Sequence, residues 1–174
     1  MEQPVKEPVV IVEYDPRWPV MFEEEKTRLL GVIGHVVEQV EHVGSTAVPG
    51  LGAKPIIDIL IGLRRLDDAA QCIAPLQSLG YQYVPEYEVE LPERRYFRKG
   101  SPRTHHIHMV ELTSGFWERH LLFRDYLCTH PETAREYYEL KKALAAKFGS
   151  DRDGYTDAKT EFVRSVEAEA RSRL

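Results

Sequence analysis

Hydrophobic and polar positions follow two different periods along this chain, and the period decides which elements form. Trp18, Phe22, Leu29 and Ile33 fall near helical spacing, with Glu23, Glu24, Glu25 and Lys26 on the other side, which predicts an amphipathic helix with one buried stripe. Asp15-Pro16 marks its start, because Asp caps free N–H groups and Pro at the first helical position loses no hydrogen bond. The β-branched run Val9–Tyr14 ahead of it reads as an edge strand or a strap. Val36–Val43 alternates and reads as the first central strand, with Glu41 on one face and His42 on the other. Ile56–Leu63 is strand-like and apolar except for one carboxylate, Asp58.

Asp67-Asp68 opens a helical stretch that Pro75 kinks or splits and Gly80 ends. Tyr81–Pro85 is strand-like, and Glu86–Glu93 is acidic and irregular. Tyr96 and Arg98 alternate along a further strand that turns at Lys99-Gly100-Ser101-Pro102. Thr104–Glu111 then places His106, His108 and Val110 on one face and Ile107, Met109 and Glu111 on the other. From Ser114 the pattern is helical. Ser114–Thr129 is one helix, and a second restarts at His130-Pro131-Glu132 with Tyr137, Leu140, Leu144 and Phe148 on one face, closed by Gly149. Gly149–Gly154 reads as a loop before a third helix, Tyr155–Arg173, whose stripe is Tyr155, Ala158, Phe162 and Val166. These elements predict one α/β domain over residues 1–174. Residues 1–113 form a core with a mixed sheet of four to six strands and helices on one side, and the helical part, 114–174, closes a cleft.

An aspartate within a strand-like run is costly to bury unless a cation or a donor pairs with it, so Asp58 is the first candidate for chemistry. Gly44-Ser45 ends the preceding strand, and such a turn presents backbone N–H groups and a hydroxyl in a concave set that suits phosphate. Pro49-Gly50-Leu51-Gly52 makes the following segment a loop or a single turn. Lys54, extended ahead of Pro55, points its ammonium either at those phosphates or at solvent. Arg94, Arg95, Arg98, Lys99 and Arg103 form either a solvated face or a hairpin that presents Arg98 or Lys99 to a polyanion. His106 and His108, two residues apart, make a three-ligand set with Asp58 suited to zinc, manganese or iron; hydrogen bonding or proton transfer at a nucleotide site, and a structural role, are the alternatives. Glu41 is a further metal ligand or base, or an arginine's partner, and His42 reads as a core hydrogen-bonding residue.

The stretch from Gly44 to Asp58, GSTAVPGL-x-AKPIID, resembles the signature of the GrpB family of small bacterial proteins, whose fold is that of the polymerase-β-like nucleotidyltransferases. The similarity continues through Tyr96–Gly100, His105–His108, Phe123–Leu127 and Tyr155–Lys159. The resemblance implies a nucleotidyltransferase-like sheet and a cleft that binds a nucleoside triphosphate with a divalent metal, magnesium or manganese, with zinc as the alternative. It assigns phosphate to Gly44, Ser45 and Thr46, metal to Asp58, and a phosphate contact to Lys159. The superfamily holds two metal ions with an Asp-x-Asp pair. Here the triplet is Asp58-Ile59-Leu60, without the second carboxylate. Two other readings therefore stand beside transfer to an unknown acceptor: a non-catalytic nucleotide-binding module, and a mononuclear metal hydrolase using Asp58, His106 and His108.

Composition narrows the classes. A chain of 174 residues is long enough to bury roughly 70% of the surface its unfolded form exposes. A net charge of −5 argues against general nucleic-acid affinity. Cys72 and Cys128 lie far apart, which indicates neither a disulfide framework nor a zinc ribbon. The opening MEQPVKEPVV lacks a signal peptide's apolar core, and no segment of about 18 apolar residues spans a bilayer. A cytoplasmic setting is expected.

Overall fold

The computed structural model describes residues 8–174, so the first seven residues of the opening segment lie outside the described ones. Helix α1 (Trp18–Ile33) leads into strands β1 (Val37–Val43) and β2 (Ile57–Leu63), with one tight helical turn, Ser45–Ala47, between the strands. The segment Leu66–Cys72 winds as a 3-10 helix into the short helix α2 (Ile73–Ser78). Strands β3 (Tyr81–Tyr83), β4 (Arg95–Gly100) and β5 (Arg103–Glu111) follow, then helices α3 (Gly115–Thr129), α4 (Pro131–Phe148) and α5 (Arg152–Ser172). The strands lie in the order β1-β2-β5-β4-β3, with β2 and β5 parallel and the other pairs antiparallel. This is the mixed α/β sheet that the pattern predicts.

Each face of the sheet is covered by a different half of the chain. Trp18, Phe22, Leu29 and Ile33 of α1 pack with Ile57, Ile59, Ile61 and Leu63 of β2, Phe97 of β4, and Ile107 and Met109 of β5. On the opposite face Val43, Leu60 and Val110 pack against Phe116 and Trp117 of α3. With both faces covered, β2 has no polar side to show, which is why it reads as an almost unbroken apolar run. A third cluster joins Val48 and Leu51, from the loop after β1, to Leu127, Ala134, Tyr137 and Val166 of the C-terminal helices. That cluster ties the Gly44-Ser45 turn to the helical part.

Several boundaries move from their predicted places. Asp15 does not cap α1: its carboxylate accepts from the backbone N–H of Arg17 at 2.9 Å and from that residue's guanidinium, so it shapes the turn before the helix. Val9–Tyr14 is a strap, held by a β-bridge between Val12 and Ala53, by the Val9 N–H donating to the Gly149 carbonyl at 3.0 Å, and by Val12 and Tyr14 packing on the core. Pro85 opens a 3-10 turn and shortens the predicted third strand. Asp151 accepts from Gly154 N at 3.0 Å, and α5 consequently begins at Arg152, within the predicted loop. No helix among the described residues is long and apolar enough to cross a membrane.

Candidate functional site

Parallel pairing of β2 with β5 sets Asp58 level with His106 and Leu60 level with His108. Side chains two residues apart share a face, so Asp58, His106 and His108 all project away from α1, toward the C-terminal helices. They line a cavity of about 220 Å³ together with Gly44, Ser45, Thr46, Lys54, His120, Tyr137, Lys141, Tyr155 and Lys159. The floor is the sheet, one wall is the turn after β1, and the roof is α3, α4 and α5.

Gly44 adopts φ 74° and ψ −175°, a conformation open essentially to glycine alone. A Cβ there would stand 2.7 Å from Oδ2 of Asp58. The glycine thus serves two purposes, turning the chain and letting the carboxylate lie against the backbone.

Asp58 Oδ1 lies 3.3 Å from Nε2 of His108 and 3.5 Å from Nδ1 of His106. The other nitrogen of His108, Nδ1, is 3.3 Å from NH1 of Arg94. A guanidinium only donates, so Nδ1 of His108 accepts and its Nε2 carries the proton given to Asp58. Burial alone would raise Asp58, but hydrogen bonds from His106 and His108 hold it well below the usual carboxylate range. Burial also lowers His108, with Asp58 opposing, and brings His120 down to about 4. The site therefore holds an ionised carboxylate beside neutral His108 and His120. His120 donates from Nδ1 to the carbonyl of Phe116 at 2.8 Å, which leaves its Nε2 as an acceptor. Nε2 of His106 and the hydroxyl of Tyr155 are buried without a hydrogen-bond partner among the described residues.

Above the carboxylate sit the lysines. Lys141 is 2% exposed and donates to the carbonyl of Gly52 at 2.6 Å. Lys159 and Lys54 hold their ammonium groups 4.5 and 5.0 Å from the centre of the Tyr155 ring. Burial first, and then the charges of Lys159 and Lys54, bring Lys141 down to about 7. Lys159 is brought to about 7 by burial and by Lys54, against the pull of Asp58. Burial lowers Lys54 as well. Three lysines around one cavity, their charged forms disfavoured by burial and by one another and opposed there by Asp58 and Glu167, make a site where an anion would favour the charged ammonium groups.

The structure brings together most of the expected site residues and leaves three outside. Gly44, Ser45, Thr46, Lys54, Asp58, His106, His108 and Lys159 all line the cavity. Glu41 does not: it is paired with Arg124 at 2.7 Å, the arginine partnership weighed for it. Arg98 shares the face of His106 but lies one strand further out and donates to Gln82 at 2.9 Å. Lys99 lies furthest from the cavity, because β4 turns it to the opposite face, where it donates to buried Glu25 at 2.5 Å. His42 stays out of the cavity, 2.9 Å from the hydroxyl of Thr46 and stacked on Phe22. The expected three-ligand metal set also changes character. Asp58, His106 and His108 meet, but Nε2 of His108 carries a proton where a ligand needs a lone pair, and no group of three His, Cys, Asp or Glu among the described residues is arranged to hold a metal ion.

Lys141, His120 and Arg94 were not singled out by pattern. Lys141 left a signal: it lies four residues after Tyr137, so a lysine stands on the apolar face of α4. His120 likewise follows Phe116 by four. Arg94 left none, since only the fold carries the segment before β4 to His108.

Residues 8–169 match the family described as GrpB protein. The chain belongs to the GrpB family. A crystal structure of the conserved protein GrpB from Enterococcus faecalis is similar to it with a TM-score of 0.84 at 39% identity, covering 94% of this chain and 98% of that one. YqkA of Bacillus subtilis is 42% identical over 167 residues, 95% of this chain but 48% of its own length. The GrpB unit thus spans about half of that relative. A longer protein named dephospho-CoA kinase from Mycolicibacterium paratuberculosis is 29% identical over 188 residues, 94% of this chain and 46% of that protein.

Proposed function

We propose that this GrpB protein binds a nucleoside triphosphate by its phosphates in the lysine-lined cavity and transfers its nucleotidyl group to an acceptor hydroxyl. One observation carries the reading: Lys54, Lys141 and Lys159 converge with the Gly44-Ser45 turn on a cavity whose floor is the ionised Asp58. The lysines neutralise phosphate charge, and the turn offers backbone N–H groups to the phosphate oxygens. The acceptor oxygen forms a bond to the α-phosphorus, the bond to the β-phosphate oxygen breaks, and pyrophosphate leaves. Asp58 orients the acceptor hydroxyl and receives its proton. A carboxylate of such low proton affinity suffices, because catalysis of phosphoryl-type transfer rests mainly on positioning and charge stabilisation. A divalent ion, magnesium or manganese with zinc as the alternative, would be held by Asp58 and would neutralise phosphate charge beside the lysines. On this reading the protein acts in the cytoplasm, where nucleoside triphosphates are supplied.

A specific observation favours a second reading, in which the unit binds nucleotide without turning it over. Leu60, where the superfamily's second aspartate would stand, is fully buried between β2 and α3 and belongs to the core. Similarity to part of a longer protein named dephospho-CoA kinase is consistent with a unit that accompanies another activity. Thermal melts with each nucleoside triphosphate, alone and with magnesium, manganese or zinc, test both readings. At about 100 times its dissociation constant a ligand stabilises by about 2.7 kcal/mol. Stabilisation that Lys159→Met abolishes supports the site, and pyrophosphate release on adding acceptor mixtures selects transfer. Stabilisation without release selects the accessory reading, whereas no response to any nucleotide rejects both.

A further inference from the structure

One row of side chains on α5 runs along the cavity. Tyr155, Lys159, Val163 and Glu167, each four residues after the last, all line it, and residues at that spacing share a helix face. At 1.5 Å of rise per residue the row covers about 18 Å. Its two ends differ in chemistry. At the Tyr155 end, Lys54 and Lys159 hold their ammonium groups against the aromatic ring, and the charges of both reach Lys141. At the Glu167 end α5 meets α3, where Arg171 pairs with Glu118 at 3.5 Å and the charge of Arg119 reaches both His120 and Glu167.

The far end offers acceptors. His120 donates from Nδ1 to the Phe116 carbonyl and keeps a bare Nε2 for the cavity. Glu167 makes no hydrogen bond or ion pair among the described residues; Arg119, Arg171 and Arg164 act on it through their charge alone, and none of the three lines the cavity. Val163, one turn before Glu167, and Phe123 add apolar surface. A ligand group seated here must bring donors, because an acceptor placed against these acceptors is repelled and leaves both unpaired. The cavity, at about 220 Å³, is also smaller than sites that enclose a whole ligand, which run to about 300–1,000 Å³. A nucleotide with its phosphates at the lysines therefore carries its base along the row, toward half-buried Glu167.

We propose that the ligand is a guanine nucleotide, with its polyphosphate among Lys54, Lys141, Lys159 and the Gly44-Ser45 turn and the Watson–Crick edge of its base on the Glu167 carboxylate. This rests on the nucleotide reading above and narrows it. Guanine alone among the four common RNA bases presents two neighbouring N–H donors on that edge, from the ring N1 and the 2-amino group, and a carboxylate accepts both in parallel. Adenine and cytosine each set a ring-nitrogen lone pair beside their amino group, and uracil sets its single N–H between two carbonyls. Each of these turns an acceptor toward the carboxylate. His120 Nε2 remains as an acceptor for a ribose hydroxyl.

Isothermal titration calorimetry on the full chain, with magnesium present, tests this with four probes: inorganic tripolyphosphate, ATP, GTP and ITP, whose base keeps the ring N–H of guanine but lacks its amino group. GTP is expected to bind about tenfold or more tighter than ATP, the scale of one paired contact to a base edge, with ITP between them. Glu167→Ala changes a half-buried helix position whose side chain makes no hydrogen bond among the described residues. It is expected to erase the preference for GTP and to leave tripolyphosphate bound as tightly or more so, since it removes a negative charge from the cavity. Affinity for ATP equal to or above that for GTP, or a GTP preference that survives Glu167→Ala, overturns the guanine proposal while the nucleotide reading stands. Binding of tripolyphosphate but of no nucleotide overturns the proposal and the nucleotide reading, leaving an inorganic-anion site. No binding of any probe rejects the cavity as a phosphate site altogether.

Discussion

Asp58 and His108 are bound across the parallel strands β2 and β5, Oδ1 to Nε2 at 3.3 Å, and the far side of the same imidazole meets Arg94 at 3.3 Å. The arginine fixes which nitrogen carries the proton, and thereby fixes His108 as a donor to the carboxylate. Charge and orientation at the cavity floor follow from this chain of three residues.

Removing that control has a spectroscopic signature. The Arg94 charge lowers His108, whereas Asp58 raises it. Arg94→Met is expected to shift the His108 titration upward, and Asp58→Asn to shift it downward. Two-dimensional NMR of the imidazole nitrogens checks both signs and reports the tautomer directly.

Gly44→Ala places a methyl group 2.7 Å from Oδ2 of Asp58 in a backbone conformation that alanine rarely adopts. The backbone penalty alone is about 1–3 kcal/mol. Urea unfolding is expected to show a loss of at least that size. Unchanged stability would mean that the turn relaxes without cost.

Lys141 and Lys159 titrate at about 7 in the folded protein, against 10.5 ordinarily. Between those values the unfolded chain holds protons that the folded chain has released, so stability rises with pH across this window. Anion binding favours the charged ammonium groups, and affinity is therefore expected to fall as pH rises above about 7, with proton uptake on binding. Denaturant melts at about pH 7 and about pH 9.5 measure the first effect, and titrations in buffers of different ionisation enthalpy measure the second. Lys159→Met should flatten both dependences.

Lys159 makes no hydrogen bond among the described residues, its contact being the Tyr155 ring. Replacing it with methionine removes a charge from a crowded cationic cavity without orphaning a polar group. Lys159→Met is thus expected to leave the ligand-free protein as stable as before or more so, while weakening binding of phosphate ligands by about tenfold or more. Thermal melts with and without ligand separate the two effects.

On the far face of the sheet, Glu25 is fully buried and accepts from Tyr81 at 2.8 Å, Lys99 at 2.5 Å and Arg28 at 2.9 Å. Glu25→Ala strips the partner from these groups and is expected to cost about 3 kcal/mol or more. Ligand affinity should be preserved, because the sheet separates Glu25 from the cavity. A loss of affinity without loss of stability would mean that the two faces of the sheet are coupled.

Local pattern was a reliable guide wherever one face of an element decides its place. The stripe of Trp18, Phe22, Leu29 and Ile33 in α1, and the division of His106 and His108 from Ile107 and Met109 in β5, follow from periods of 3.6 and 2 residues. The Gly44-Ser45 turn and Asp58 were legible for another reason: a glycine at a turn and a carboxylate in an apolar strand each break a local rule. Lys99 was misplaced by the same logic of type and neighbourhood. It stands in a basic run, yet the register of β4 turns it toward Glu25, a residue 74 positions away. Arg94 and Lys141 reach the site only because β4 pairs with β5 and α4 packs over Gly52.

The sequence by itself determined the elements, the two sides of each, and the family, because these depend on neighbours a few residues apart. Tertiary structure alone decided which cations face Asp58, which histidine nitrogen holds a proton, and what stands at the far end of the cavity from the lysines. Those properties arise between segments as distant as Gly44, Lys54, His120 and Glu167. Electrostatic energy depends on distance through space and on exclusion of water, and neither is encoded at any single position.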